Sequence, residues 1–157
     1  MLRITRQSDY GIVLMTHLAA GRGRSADAPV LNARDLAGAT NLPLPTVSKI
    51  LKGLARGGLL VSHRGVKGGY SLARPPREIS VEEIIRALEG PIAITECLDH
   101  STDECGIEFC CPVRTNWQRI NEAVRDALRD IPLSEMSTGV TLRPRAAAAG
   151  RPGKSAS

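Results

Sequence analysis

No apolar run among the 157 residues approaches the ~20 needed to cross a bilayer, which excludes a membrane-spanning chain and leaves no membrane partner expected. The first residues, "MLRITRQSDYG", lack the apolar stretch and small-residue cleavage site of a secretory signal, so the expected location is cytoplasmic. Aromatic residues are scarce, with one Trp, one Phe and two Tyr. The 42% of hydrophobic residues still suffices for one packed core, built mainly from aliphatic side chains. Cysteine is absent from residues 1–96 and 112–157; all four stand at positions 97, 105, 110 and 111. In a cytoplasmic chain disulfides are rare, and clustered thiols are more often ligands or redox centres.

Acid is missing from a long stretch as well. Between Asp35 and Glu78 there is no Asp or Glu, while Lys49, Lys52, Arg56, Arg64, Lys67, Arg74 and Arg77 are all basic. The net charge of +5 hides this asymmetry. Residues 1–89 carry thirteen Lys/Arg against seven Asp/Glu, residues 90–142 four against nine, and the last fifteen add four positive charges. A stretch of one sign is often only a solvated face. Lying over a suitable motif, it becomes the footprint of a protein that binds the phosphate backbone.

Such a motif is present. Ser8–Asp9 reads as a helix start, with Tyr10, Val13, Leu14, His17 and Leu18 at helical spacing and Gly21 and Gly23 stopping it. Asn32 can cap a short helix through Leu36 and Ala37, and "GATNLPLP" is a turn. Pro45 suits the first turn of the next helix, whose Val47, Ile50, Leu51 and Leu54 share one face before Gly57–Gly58. Two β-like runs, "LLVSHRG" and "YSLAR", flank a glycine-rich tip, and Ser80 with Glu83 forms a capping box opening another helix.

Helix, short helix, turn, helix and hairpin is the order of a winged helix-turn-helix. The fold class is therefore mainly α with a small β wing. The second helix of the pair enters the major groove, and its N-terminal residues reach base edges. Here those residues are Thr46, Ser48 and Lys49, which point away from the apolar face; Lys52 and Arg56 meet phosphates further along. Arg64 and Lys67 sit on the wing tip, where they can approach the backbone or enter a minor groove. The bland readings are that Thr46 helps cap its helix and Lys67 keeps the hairpin soluble.

After the cysteines, Pro112 opens a helix. Val113, Trp117, Ile120, Val124, Ala127 and Ile131 follow at spacings of four and three, a heptad seam that predicts a dimerisation helix, ended by Pro132. The division is a winged unit over 1–90, a cysteine loop over 91–112, a dimer helix over 112–138 and a disordered basic tail over 139–157.

Cys97, Cys105 and Cys111 are spaced widely enough to wrap a metal centre, and the spacing is not a Cys-x-x-Cys zinc knuckle. Between Arg86 and Arg114 there is no Lys or Arg, while Glu96, Asp99, Asp103, Glu104 and Glu108 crowd the loop. A reactive thiolate is normally activated by nearby positive charge, so this acidity favours a bound metal over a bare redox thiol. An iron–sulfur cluster and zinc both stay open on the residues alone, since Cys97, His100, Cys105 and Cys111 make a Cys₃His set. Cys110 cannot easily share a centre with its neighbour and is read as a spare thiol.

The stretches "SDYGIVLMTHLA", "LPLPTVSKILKGLARGGLLVSHRGVKGGYSLAR", "VEEIIRALEGPI" and "CPVRTNWQRINEAVRDALRDIPLSEM" resemble the IscR/NsrR-type bacterial regulators over residues 1–138. Within that family the resemblance is closest to regulators of SUF iron–sulfur assembly. It implies a homodimeric repressor on a palindromic DNA operator, not an enzyme, with crossing C-terminal helices. It also implies one [2Fe–2S] or [4Fe–4S] cluster per subunit, held by Cys97, Cys105, Cys111 and one non-cysteine ligand. The IscR branch's histidine position is Arg114 here, whereas the NsrR branch's aspartate, supplied by the partner subunit, matches Asp9; His100 and Glu104 are the alternatives.

Overall fold

The computed structural model describes residues 4–22, 30–95, 98 and 112–137. It is mainly helical with one two-stranded antiparallel hairpin. Helix α1 spans Arg6–Arg22, α2 Ala33–Thr40 and α3 Leu44–Arg56. Strands β1 (Leu60–His63) and β2 (Gly69–Leu72) follow, then a 3-10 turn over Pro76–Glu78, α4 (Val81–Glu89), α5 (Arg114–Arg129) and α6 (Leu133–Met136).

The start and stop signals act where the residue types place them. Asn32 Oδ1 accepts from the Asp35 amide at 2.9 Å, capping α2, and Asn41 closes it at φ 57°. Pro43 precedes α3 and Pro45 lies in its first turn, where a missing N–H costs nothing. Val47, Ile50, Leu51 and Leu54 are all buried, as their spacing predicts. The Ser80–Glu83 capping box forms in both directions.

Helix α1 departs from expectation. It begins two residues earlier, at Arg6, and is enclosed on more than the single stripe of Tyr10, Val13, Leu14, His17 and Leu18. Gly11, Ile12, Met15, Thr16 and Ala19 are buried too, while Val13 and His17 are only partly covered. The reason is tertiary: α2, α3, α4, α6 and β2 all pack around it. A side chain at Gly11 would come within 2.4 Å of Leu88 Cδ1, and one at Gly57 within 2.5 Å of Ala87 Cβ, so glycine lets α4 nest between α1 and α3. The hydroxyls of Thr5 and Ser8 both donate to Glu89 Oε1, tying the start of α1 to the end of α4.

The predicted C-terminal helix from Pro112 to Ile131 is α5, two residues shorter at each end. Beyond it the chain turns back into the winged unit. Val81 N–H donates to Ile131 O at 3.0 Å and Leu133 N–H to Ile79 O at 2.8 Å, with Leu133 fully buried in the core. Helix α5 is thereby joined to the core that carries α3.

Candidate nucleic-acid interface

Helix α3 packs its four apolar residues inward and leaves Lys49, Lys52 and Arg56 exposed, with Thr46 and Ser48 half-buried at its start. Pro43 holds the N-cap position and no side chain caps the helix, so Thr46 has no capping duty. Arg64 and Lys67 are exposed at the wing tip.

The wing is shaped by close backbone contacts. Strands β1 and β2 pair from Leu60↔Leu72 to His63↔Gly69, and the Gly68 amide donates to Gly65 O at 2.9 Å, closing the tip as a turn. A side chain at Gly68 would fall 2.6 Å from His63 O, and one at Gly69 2.5 Å from Leu31 O. Tyr70 exchanges both backbone hydrogen bonds with Leu31, at 2.8 and 3.0 Å, so the residue just ahead of the α2 cap Asn32 bridges to β2 beside the hairpin. That fixes the wing to the helix-turn-helix.

The basic residues divide into two groups. None of Lys49, Lys52, Arg56, Arg64 and Lys67 forms an ion pair with a described residue. By contrast, Arg74 meets Glu83 at 2.7 Å, Arg77 meets Glu78 at 3.5 Å and Arg129 meets Asp126 at 2.8 Å. Arg86 and Arg125 both face Glu82, at 3.7 and 3.9 Å. Burial disfavours the charged form of Glu83. The Arg74 hydrogen bond, the Ser80 amide and the charges of Arg74 and Arg86 outweigh it and hold the carboxyl below its ordinary value.

Two features went unseen in the sequence. Glu82 is only 2% exposed, and its Oε1 makes no hydrogen bond despite the two guanidinium groups nearby. Asn121 is the only buried residue of α5. Its Oδ1 accepts from Ile94 N–H and its Nδ2 donates to Ile92 O, both at 3.1 Å, fastening segment 92–94 to the middle of α5. The signal for it was an amide side chain one step off the apolar seam.

Along that seam Val113, Trp117, Ile120 and Ile131 are exposed by 44, 39, 46 and 37% in the single chain. Ala127 is also exposed, while Val124 is half-buried. Asp9 is exposed in the first turn of α1, and its carboxylate has no described partner. Cys97, Cys105, Cys110, Cys111, His100 and Glu104 lie outside the described residues. Among the described residues no group of three or more His, Cys, Asp or Glu could hold a metal ion. No described helix is long and apolar enough to cross a membrane.

Residues 4–139 match the Rrf2 family profile, described as iron-dependent transcriptional regulators. An rrf2-like HTH-type transcriptional regulator of Rhodobacter capsulatus is 34% identical over 116 residues, 71% of this chain and 76% of its own. The structure of CymR, described as the global cysteine regulator of B. subtilis, overlays with a TM-score of 0.67 at 30% identity, covering 90% of this chain and 100% of that one. IscR of T. potens overlays with a TM-score of 0.65 at 28% identity, covering 89% of each chain. A winged helix-turn-helix with unpaired cations on its recognition helix and wing, joined to this profile and these relatives, places the chain in the Rrf2 family of DNA-binding transcriptional regulators rather than among enzymes.

Proposed function

We propose that the chain is a homodimeric, cytoplasmic repressor that reads a palindromic operator and adjusts its grip through an iron–sulfur cluster held in the cysteine loop, controlling iron–sulfur assembly genes. The observation that carries the DNA half of this reading is the set of unpaired cations on α3 and the wing. Two α3 helices in a dimer would enter half-sites about 34 Å apart. Thr46, Ser48 and Lys49 would read bases, while Lys52 and Arg56 fix the register on phosphates.

The exposed seam of α5 supports a two-fold interface. A helix that leaves Trp117 and Ile120 in water gains by covering them with a second copy. Replacing Trp117 with Glu is expected to convert the dimer to monomer in sedimentation velocity, with loss of tight operator binding.

Cys97, Cys105 and Cys111 would hold the cluster, with Asp9 of the opposite protomer as the fourth ligand. The exposed carboxylate of Asp9, which has no partner among the described residues, supports this assignment. The donor chemistry fits as well. Thiolates in a loop without Lys or Arg, among five acids, are stabilised by a bound cation. A bound cluster would supply a centre whose loading, redox state or loss reports iron and oxidant status. The rest belongs to the chain's own residues. Asn121 fastens the segment leading into the loop onto α5, and the pairing of residues 79–81 with 131–133 fastens α5 to the core that carries α3.

The experiment is anaerobic purification with iron, sulfide and visible absorbance measured on wild type and on Cys97→Ala. Brown protein with iron and sulfide, lost in the variant, supports the reading; colourless protein with stoichiometric zinc contradicts it. The likeness to CymR, described as a cysteine regulator, favours a thiol switch as the second reading. That reading is identified by metal-free protein whose DNA affinity changes when its thiols are oxidised.

A further inference from the structure

The wing tip carries an apolar side chain that neither the core nor the basic surface accounts for. Val66 is 107% exposed, more than any other large hydrophobic among the described residues. It occupies one of the two central positions of the turn closed by the Gly68 amide on Gly65 O at 2.9 Å, and Lys67 occupies the other. Arg64 precedes the turn, so two unpaired cations flank the valine. The backbone beneath is constrained from both sides, since Gly68 abuts His63 O and Gly69 abuts Leu31 O. Tyr70 is bonded to Leu31, and His63 Nε2 meets Ser71 Oγ at 2.8 Å. A fully solvated valine held at a fixed place between two cations suits a surface with anionic walls and an apolar lining. The minor groove of DNA is such a surface: phosphates line its edges and deoxyribose faces its walls. At about 6 Å it is too narrow for a helix and wide enough for one side chain.

We propose that Val66 is a specificity-determining contact, inserted into the minor groove beside the sugars while Arg64 and Lys67 hold the flanking phosphates. The assignment rests on the DNA-binding reading above. Guanine projects an amino group from the minor-groove floor and A·T pairs do not, so a valine pressed there selects A·T steps at the wing positions. An apolar contact displaces no condensed counterions, which separates Val66 from its neighbours: its removal weakens binding without altering the dependence on salt.

The test uses the full chain and a pool of duplexes with a randomised core, from which the preferred duplex is selected. Binding of that duplex is then measured between 50 and 200 mM salt for wild type, Val66→Ala and Lys67→Ala. Val66→Ala is expected to weaken binding about fivefold, from two methyl groups partly returned to water, with an unchanged salt slope and a relaxed A·T preference in a repeated selection. Lys67→Ala is expected to lower the slope by about 1.8, one phosphate contact on each wing of the dimer, and keep the preference. Wild-type affinity in Val66→Ala overturns the proposal. So does a slope that falls along with affinity, which marks a misfolded wing, or a binding loss with an unchanged base preference. Failure of the wild-type chain to enrich any duplex would instead strike the DNA-binding reading itself.

Discussion

The lysines and arginines of α3 and the wing tip are left alone among the described residues, and those around α4 and α5 are tied down. On α3 and the wing, Lys49, Lys52, Arg56, Arg64 and Lys67 meet no described acid. Along the α4–α5 side, Arg74, Arg77, Arg86, Arg125 and Arg129 each face a carboxylate within 4 Å. All five unpaired cations lie in the acid-free stretch from 36 to 77; Arg74 and Arg77, at its C-terminal end, are paired because Glu78 and Glu83 follow directly. Unpaired cations keep their full attraction for phosphate, whereas the paired ones direct theirs at carboxylates of the same chain, Arg74 and Arg125 reaching α4 from other segments. Residue type alone does not separate the two roles; the neighbours do.

The comparison is broken most severely from the tied side. Leu133 is fully buried where the chain after α5 re-enters the core, so Leu133→Ala is expected to cost about 2–5 kcal/mol in urea unfolding. A cost under about 0.5 kcal/mol would mean that α5 is not anchored there. Next comes Asn121→Ala, which strips partners from Ile94 N–H and Ile92 O and is expected to cost about 1–3 kcal/mol. Hydrogen exchange at the Ile94 amide should accelerate with it, and unchanged protection would remove the clamp from the account.

A smaller effect sharpens the contrast through pH. Glu83 has its pKa lowered in the folded state, so its contribution is present above the ordinary glutamate range. That contribution is lost as pH falls through the folded value. Glu83→Gln is expected to flatten the acid limb of the stability curve and cost about 0.5–1 kcal/mol at neutral pH through loss of the charged Arg74 pair, the glutamine amide oxygen still accepting from Ser80 N–H in the capping box. The smallest effect belongs to the exposed Arg129–Asp126 pair. Arg129→Ala should shift stability by less than about 0.5 kcal/mol, by thermal melting.

What could be read from the residues is what local chemistry decides. The α2 cap at Asn32, the apolar face of α3, the Ser80–Glu83 box and the glycine-tipped hairpin each depend on residues within a few positions of one another. What escaped depends on partners far along the chain. Asn121 reaches back 27 and 29 residues to segment 92–94, and Ser8 reaches Glu89 across 81. Burial of Glu82 follows from α5 lying over α4, which no pattern within α4 reveals. The extra buried face of α1 has the same origin, since a helix surrounded by five elements loses the one-sided stripe that periodicity detects. Of the proposed sites, the α3 and wing residues fall within the described fold, while the three cysteines lie outside the described residues.

The central claim is that unpaired cations on α3 are kept for the phosphate backbone and not for the fold. It is tested most directly by the salt dependence of DNA binding, with thermal stability measured alongside, in wild type and in the double variant Lys52→Ala/Arg56→Ala. With two protomers on the operator, the account predicts a slope of log affinity against log salt reduced by about 3.6, at 0.9 for each of the four lost phosphate contacts, and a melting temperature that stays put. An unchanged slope, or a stability that falls with the charges, would contradict it.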